Sequence, residues 1–235
     1  MKSKRLGSEI IRLALPATIE NVFQTLVGFF DTLLIAQLGL VAVTAVGLAN
    51  TILNVYLAVF LAIGVGGTAL IARSLGAGQK EKARQYARQT QELSIAGGIV
   101  FGFISIFFGR WMLQAMGASG SALEDAQVFF YWVGGFSLLH ASMTSLGTIL
   151  RATGDTVTPM KVGIITNVTN VLLDYFLIFG FGSWDGLGIL GTALGTIFAR
   201  LLGCYLLTRE VQKSELALSF QKSRLRKDYQ ELVHL

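Results

Sequence analysis

Six long apolar stretches, broken by short polar or glycine-rich segments, run through the chain as far as residue 211. They fall at about Ile10–Leu38, Val46–Ala72, Leu93–Leu113, Val128–Leu150, Val162–Phe181 and Leu187–Leu207. Each is long enough, as a helix, to cross ~30 Å of hydrocarbon. The pattern predicts an all-α polytopic membrane protein with six transmembrane helices in residues 1–211. Residues 212–235 are polar, mixed in charge and too short for a domain, and read as a cytoplasmic linker.

Polar residues interrupt the apolar pattern in two places, on single helix faces. Asn167, Asn170 and Asp174 recur at i, i+3, i+7, and Asn21, Gln24 and Asp31 at i, i+3, i+10, with Gly28 filling i+7. A carboxylate in hydrocarbon costs at least ~2.5 kcal/mol, so an intramembrane aspartate is kept where it is paired, ion-bound or facing water. Asn170 and Asp174, one turn apart, can offer an amide carbonyl and a carboxylate to one hard cation. Two such faces predict a cation- or substrate-binding cavity inside a helical bundle. The bland alternatives are an interfacial Asp31 and interhelical hydrogen bonds that only hold the bundle together. Asn21, Gln24 and Asn167 on these faces are candidate cavity residues for a substrate, with polar contacts between helices as the alternative. Asn50 and Asn54, at i, i+4 in the second span, fit either the same cavity or a packing seam, and read first as the seam. His140, mid-span, is a candidate proton carrier or a satisfied bundle residue.

Composition agrees with the membrane reading. The chain is 53% hydrophobic and 14% charged, with a mean hydropathy of +0.61, whereas soluble domains carry about 25% charged residues. The net charge of +5 does not point to nucleic acid, because of where it lies. The segments GLVAVTA, Gln114–Gln127 and GSWDG hold no Lys or Arg, while RSLGAGQKEKARQYAR, RATGDTVTPMK and both tails are basic. With both termini cytoplasmic, Arg110 alone faces outward and 18 of the 19 Lys and Arg face inward, which sets the orientation in a plasma (inner) membrane. That count places Arg200 inside, snorkelling from the last span, and leaves no basic residue deep in any span.

Several motifs carry less. Gly191, Gly195, Ala199 and Gly203, four apart, read as a close-packing stripe. Gly186–Gly191 formally matches G-x-G-x-x-G but opens a membrane span with no strand before it. Asn167-Val168-Thr169 is a glycosylation sequon buried in a span. The lone Cys204 forms no internal disulfide. No hydrolase or nucleotide-binding pattern occurs, so the chain reads as no enzyme and as needing no cofactor.

Three segments resemble the multidrug and toxic compound extrusion (MATE) family: LALPATIENVFQTLVGFFDTLLIAQLG, GVGGTALIARSLGAGQKEKARQYAR and LRATGDTVTPMKVGIITNVTNVLLDYFLIFG. The resemblance covers Ser8–Leu207. It implies one six-helix lobe of a twelve-helix transporter that exchanges protons or sodium for amphipathic, often cationic organic compounds. It assigns Asp31, Asn170, Asp174 and Thr192 to a cation-coupling site, with sodium a candidate ion at Asp31, Asn170 and Asp174. It also assigns Pro16 to a bend in the first span. The alternatives are a flippase for lipid-linked precursors, which would want several basic residues in its cavity, and a non-transporting membrane subunit. Glu231–Leu235 echoes Glu9–Leu13, the run into the first span, and reads as the opening of a second lobe. That lobe would follow in cis, or a homodimer of short chains would replace it.

Overall fold

A computed structural model describes residues 2–181 and 184–217, almost wholly helical. Seven helices follow in order: α1 (Lys2–Ala36), α2 (Leu40–Gly76), α3 (Lys80–Ala115), α4 (Gly120–Gly135), α5 (Ser137–Ala152), α6 (Val157–Phe179) and α7 (Ile189–Lys213). A two-residue ribbon, β1 (Gly180–Phe181) and β2 (Trp184–Asp185), joins α6 to α7. Four helices, α2, α3, α6 and α7, are each long and apolar enough to span a membrane, and the bent pair α4–α5 makes a fifth span. In α1 the apolar stretch among the described side chains is Asn21–Ala36. The all-α, polytopic architecture expected from the hydropathy pattern is therefore present. The helix remains continuous through position 16, while the Pro16 side chain lies outside the described residues. So does the Glu231–Leu235 echo.

The fourth span departs from expectation. Val128–Leu150 reads as one helix, but the chain breaks at Phe136 and bends by 47° between α4 and α5. Gly134-Gly135 supplies the weak point, since glycine pairs are among the few local causes of a sharp kink. The Ser137 hydroxyl donates to the Gly134 carbonyl at 2.5 Å. α3 presses against the bend. A Cβ on Gly102 would lie 2.6 Å from the Gly135 carbonyl oxygen, and one on Gly98 2.6 Å from the Leu138 Cα. These glycines let two backbones meet where side chains would hold them apart.

The most extensive helix contact is between α6 and α7. Gly191, Gly195, Ala199 and Gly203 are all buried, so the stripe is a packing face, as its spacing suggests. A larger cluster around Tyr56, Phe60 and Phe130 ties α2 to α3 and α4, with Tyr56 stacked on Phe101 at 4.3 Å between ring centroids. Outward-facing Phe103, Phe107, Phe108 and Trp111 on α3 present an apolar surface suited to lipid.

The two ends of the bundle differ in charge. Lys80 pairs with Glu215 at 2.9 Å, and the Arg84 Nε donates to the Glu215 carbonyl at 2.8 Å, closing the C-terminal end of α7 onto the start of α3. Leu75, Thr153 and Ser214 meet them there. At the other end Arg110 donates to Gln127 at 3.0 Å. Glycine turns the chain at the basic end. Gly78, with φ of 73°, lets its own N–H and that of Gln79 reach back to Leu75 and Ser74 at 3.0 and 2.9 Å, closing α2.

Candidate functional site

A cavity of about 470 Å³ opens among all the helices except α3. That is within the range of sites for drug-sized molecules. α1 lines it with Gln24, Gly28, Asp31, Thr32 and Ile35, and α2 with a face that includes Gly47, Asn50 and Asn54. Thr166, Asn167 and Asn170 come from α6, and Thr192, Thr196, Ala199 and Arg200 from α7. Phe129, Val133, His140 and Met143 close it from the broken span. The i, i+4, i+7, i+8, i+11 spacing on α1 is one helical face, so an amphipathic pattern in sequence becomes one wall in space.

Asp31, in the cavity wall, meets Asp174, which is buried behind it and does not itself line the cavity. Their carboxyl groups lie close enough to share a hydrogen bond when one is protonated. Asn170 donates from Nδ2 to Oδ1 of Asp174 at 3.2 Å. Asp174 is 1% exposed, and its Oδ2 has no protein partner, nor has Oδ1 of Asp31. Thr192 is also buried, and its Oγ1 stands unpartnered. Two carboxyl groups and an amide from α1 and α6 thus converge with oxygen atoms to spare, and the Thr192 hydroxyl of α7 lines the same cavity. Hard cations choose oxygen ligands of this kind. The converging arrangement depends on the stripe. A Cβ on Gly195 would collide with Oδ1 of Asp174 and sit 3.1 Å from its Cγ.

Other expected residues fall differently. Gln24 and Asn167 line the cavity, whereas Asn21 does not, lying exposed one turn beyond. Asn50 and Asn54 line it too, rather than the seam expected for them. A single helix reveals which residues share a face but not what that face meets. His140 is in the wall, edge-on to Phe60 at 6.2 Å between ring centroids. Arg200 corrects the expectation that no basic residue lies deep in a span. It stands mid-way along α7, lines the cavity, and its Nη1 is buried without a partner. Its place in a long apolar stretch was visible, but counting it as a snorkelling residue hid it. Cys204, one turn on, donates its thiol to the Leu139 carbonyl at 3.1 Å.

A bundle of apolar helices around a polar, acid-bearing cavity is the architecture of one lobe of a secondary transporter. The MatE family signature matches residues 16–176, more than half of the 235-residue chain. The chain belongs to the MatE family and is an integral membrane protein. It is 34% identical over 210 residues to a Thermotoga maritima protein named probable multidrug resistance protein NorM, a match covering 89% of this chain and 45% of that one. It is 28% identical over 240 residues to a Shewanella oneidensis protein named FAD transporter, covering 99% of this chain and 52% of that one. Among solved structures, an outward-facing multidrug resistance MATE transporter superposes with a TM-score of 0.88 at 24% identity, over 97% of this chain and 50% of that chain. The Vibrio cholerae MATE transporter VcmN superposes with a TM-score of 0.90 at 24% identity, over 98% and 52%. At that identity the likeness establishes the fold. The chain spans about half the length of the relatives it matches.

Proposed function

We propose that this chain is the cation-binding lobe of a cation-coupled exporter of amphipathic and cationic organic compounds. The observation that carries the reading is the meeting of the buried Asp174 with Asp31, which lines a polar cavity large enough for a drug-sized molecule. Two carboxylates in contact repel unless a cation stands between them. A proton or a sodium ion held by Asp31, Asn170 and Asp174, with Thr192 as a fourth oxygen, relieves that repulsion and draws α1, α6 and α7 together. Empty, the same site favours a looser arrangement open to substrate. Each ligand shifts the balance only by its differential affinity for the two arrangements. The names of relatives, multidrug resistance protein in most cases, support the cargo class. The lipid-precursor flippase is less well supported, because one arginine, rather than several basic residues, lines the cavity.

The test is transport by the complete product of the gene in inverted membrane vesicles, with ethidium as probe. Uptake should accelerate several-fold when a proton or sodium gradient is imposed across the vesicle membrane, and the effective gradient names the ion. Uptake indifferent to both gradients sinks the proposal.

We also infer that the basic end of the bundle faces the cytoplasm. Lys80, Lys82, Arg84 and Arg88 cluster there on α3, and basic loops stay inside. Single cysteines placed between Gln79 and Arg88, in a Cys204→Ser background, should resist a membrane-impermeant maleimide added to intact cells. They should react after permeabilisation. Labelling from outside reverses the topology.

A further inference from the structure

We propose that Arg200 is an anion-binding group inside the cavity, so that the lobe accepts organic molecules carrying a carboxylate or phosphate. The inference rests on the reading of this cavity as a substrate site. Arg200 lines the cavity, and its Nη1 is buried without a hydrogen-bond partner. No carboxylate of the described residues lies within ion-pair distance, 4.0 Å, of its guanidinium. Asp31, the acid that lines the cavity, is turned to the buried Asp174 instead. Its nearest titratable neighbours supply no countercharge. His140 packs edge-on to Phe60, and Cys204 spends its thiol on the Leu139 carbonyl.

An arginine keeps its charge at physiological pH and presents a planar fork that fits carboxylate and phosphate oxygens. Charges inside a membrane protein that lack a protein partner mark ligand pathways. The spacing defines the ligand further. Gly195, against which the Asp174 carboxyl packs, and Arg200 are five residues apart on α7, about 7.5 Å along the axis at ~1.5 Å per residue. Apolar Val133 and Met143 line the same cavity. The cavity lining therefore carries both an acid, Asp31, and a base, Arg200. It fits an amphipathic molecule whose anionic group lies at Arg200 while its body extends towards the acids.

The test uses the purified complete product of the gene in phosphatidylcholine nanodiscs and three naphthalene probes: 1-naphthyl phosphate, 1-naphthoate and neutral 1-naphthol. Equilibrium dialysis should find at least one anion bound about tenfold more tightly than 1-naphthol, the scale of one charge-assisted hydrogen-bonded contact. The stronger of the two anions tells phosphate from carboxylate. Arg200→Gln should remove the preference and leave 1-naphthol binding in place, while Arg209→Gln, at an exposed position on the same helix, should change neither. Phenylglyoxal labelling of Arg200 in the unaltered chain gives a measurement independent of any variant's folding. The preferred anion should protect Arg200, and 1-naphthol should not. Equal binding of all three probes, a preference surviving in Arg200→Gln, or no protection overturns the anion site while leaving the cavity reading intact. Failure of every probe to bind removes the cavity reading and this inference with it.

Discussion

Asp31→Asn and Asp174→Asn should each abolish ion-driven efflux, by about a hundredfold or more, while leaving the protein folded in the membrane. Asparagine keeps the size of aspartate and an oxygen acceptor, but it neither takes up a proton nor carries the charge that holds a sodium ion. Since the two carboxyl groups face each other, losing either one leaves half a site. The fold should tolerate the change because a neutral amide is easier to bury than a carboxylate. At position 174 the new side chain can turn its carbonyl towards the Asn170 Nδ2, preserving the 3.2 Å hydrogen bond. Efflux is measured in vesicles under imposed proton and sodium gradients, normalised to protein in the membrane. Near wild-type transport by both variants would end the coupling-site proposal. Loss confined to one gradient would identify the ion.

Gly195→Ala should also damage transport, without removing a polar group. One methyl group there lands on Oδ1 of Asp174 and 3.3 Å from the Asp174 backbone nitrogen. The carboxyl cannot simply swing aside, because it is wedged between Asn170 and the Asp31 carboxyl. Either α6 and α7 part or Asp174 leaves the site, and overpacking of this kind costs roughly 1–3 kcal/mol. Efflux should fall more than about tenfold, the kinetic size of such a penalty. Gly203→Ala on the same stripe should be milder, since its Cβ meets the flexible end of Met143 at 2.8 Å. Gly66→Ala, with open space around its Cβ, should leave efflux unchanged. A Gly195→Ala protein that transports like the unaltered one would show that Asp174 need not be held where it stands.

Hydropathy located the spans because each apolar stretch had to satisfy the same bilayer thickness. It missed the break at Phe136, since a bend changes neither length nor polarity, and the signal at Gly134-Gly135 is common in straight membrane helices too. The faces bearing Asp31 and Asp174 were legible from helical spacing alone. Their meeting was not, because it depends on α1 and α6 packing side by side. Arg200 was hidden for a different reason. A rule that counts charges at the ends of helices treats every arginine as able to reach the surface. Arg200 stands in mid-helix with one guanidinium nitrogen sealed from solvent. Asn50 and Asn54 turned inward because the opposite side of α2, with Tyr56 and Phe60, was taken by α3 and α4.

The bend at Phe136 carries a consequence for the order of assembly. A span bent by 47° loosens its own backbone ladder, and lipid offers nothing to a freed carbonyl. Here the Ser137 hydroxyl covers the Gly134 carbonyl from within the span. The Gly135 carbonyl lies against Gly102 of α3, at a spot where any side chain would intrude. Close packing of α3 thus covers the Gly135 carbonyl from outside the span. The fourth span should enter the bilayer as a straighter rod and acquire its angle only when α3 docks beside it. Biogenesis of this lobe then has a sequence written into it, with insertion preceding curvature and the third helix acting as the template on which the fourth is shaped.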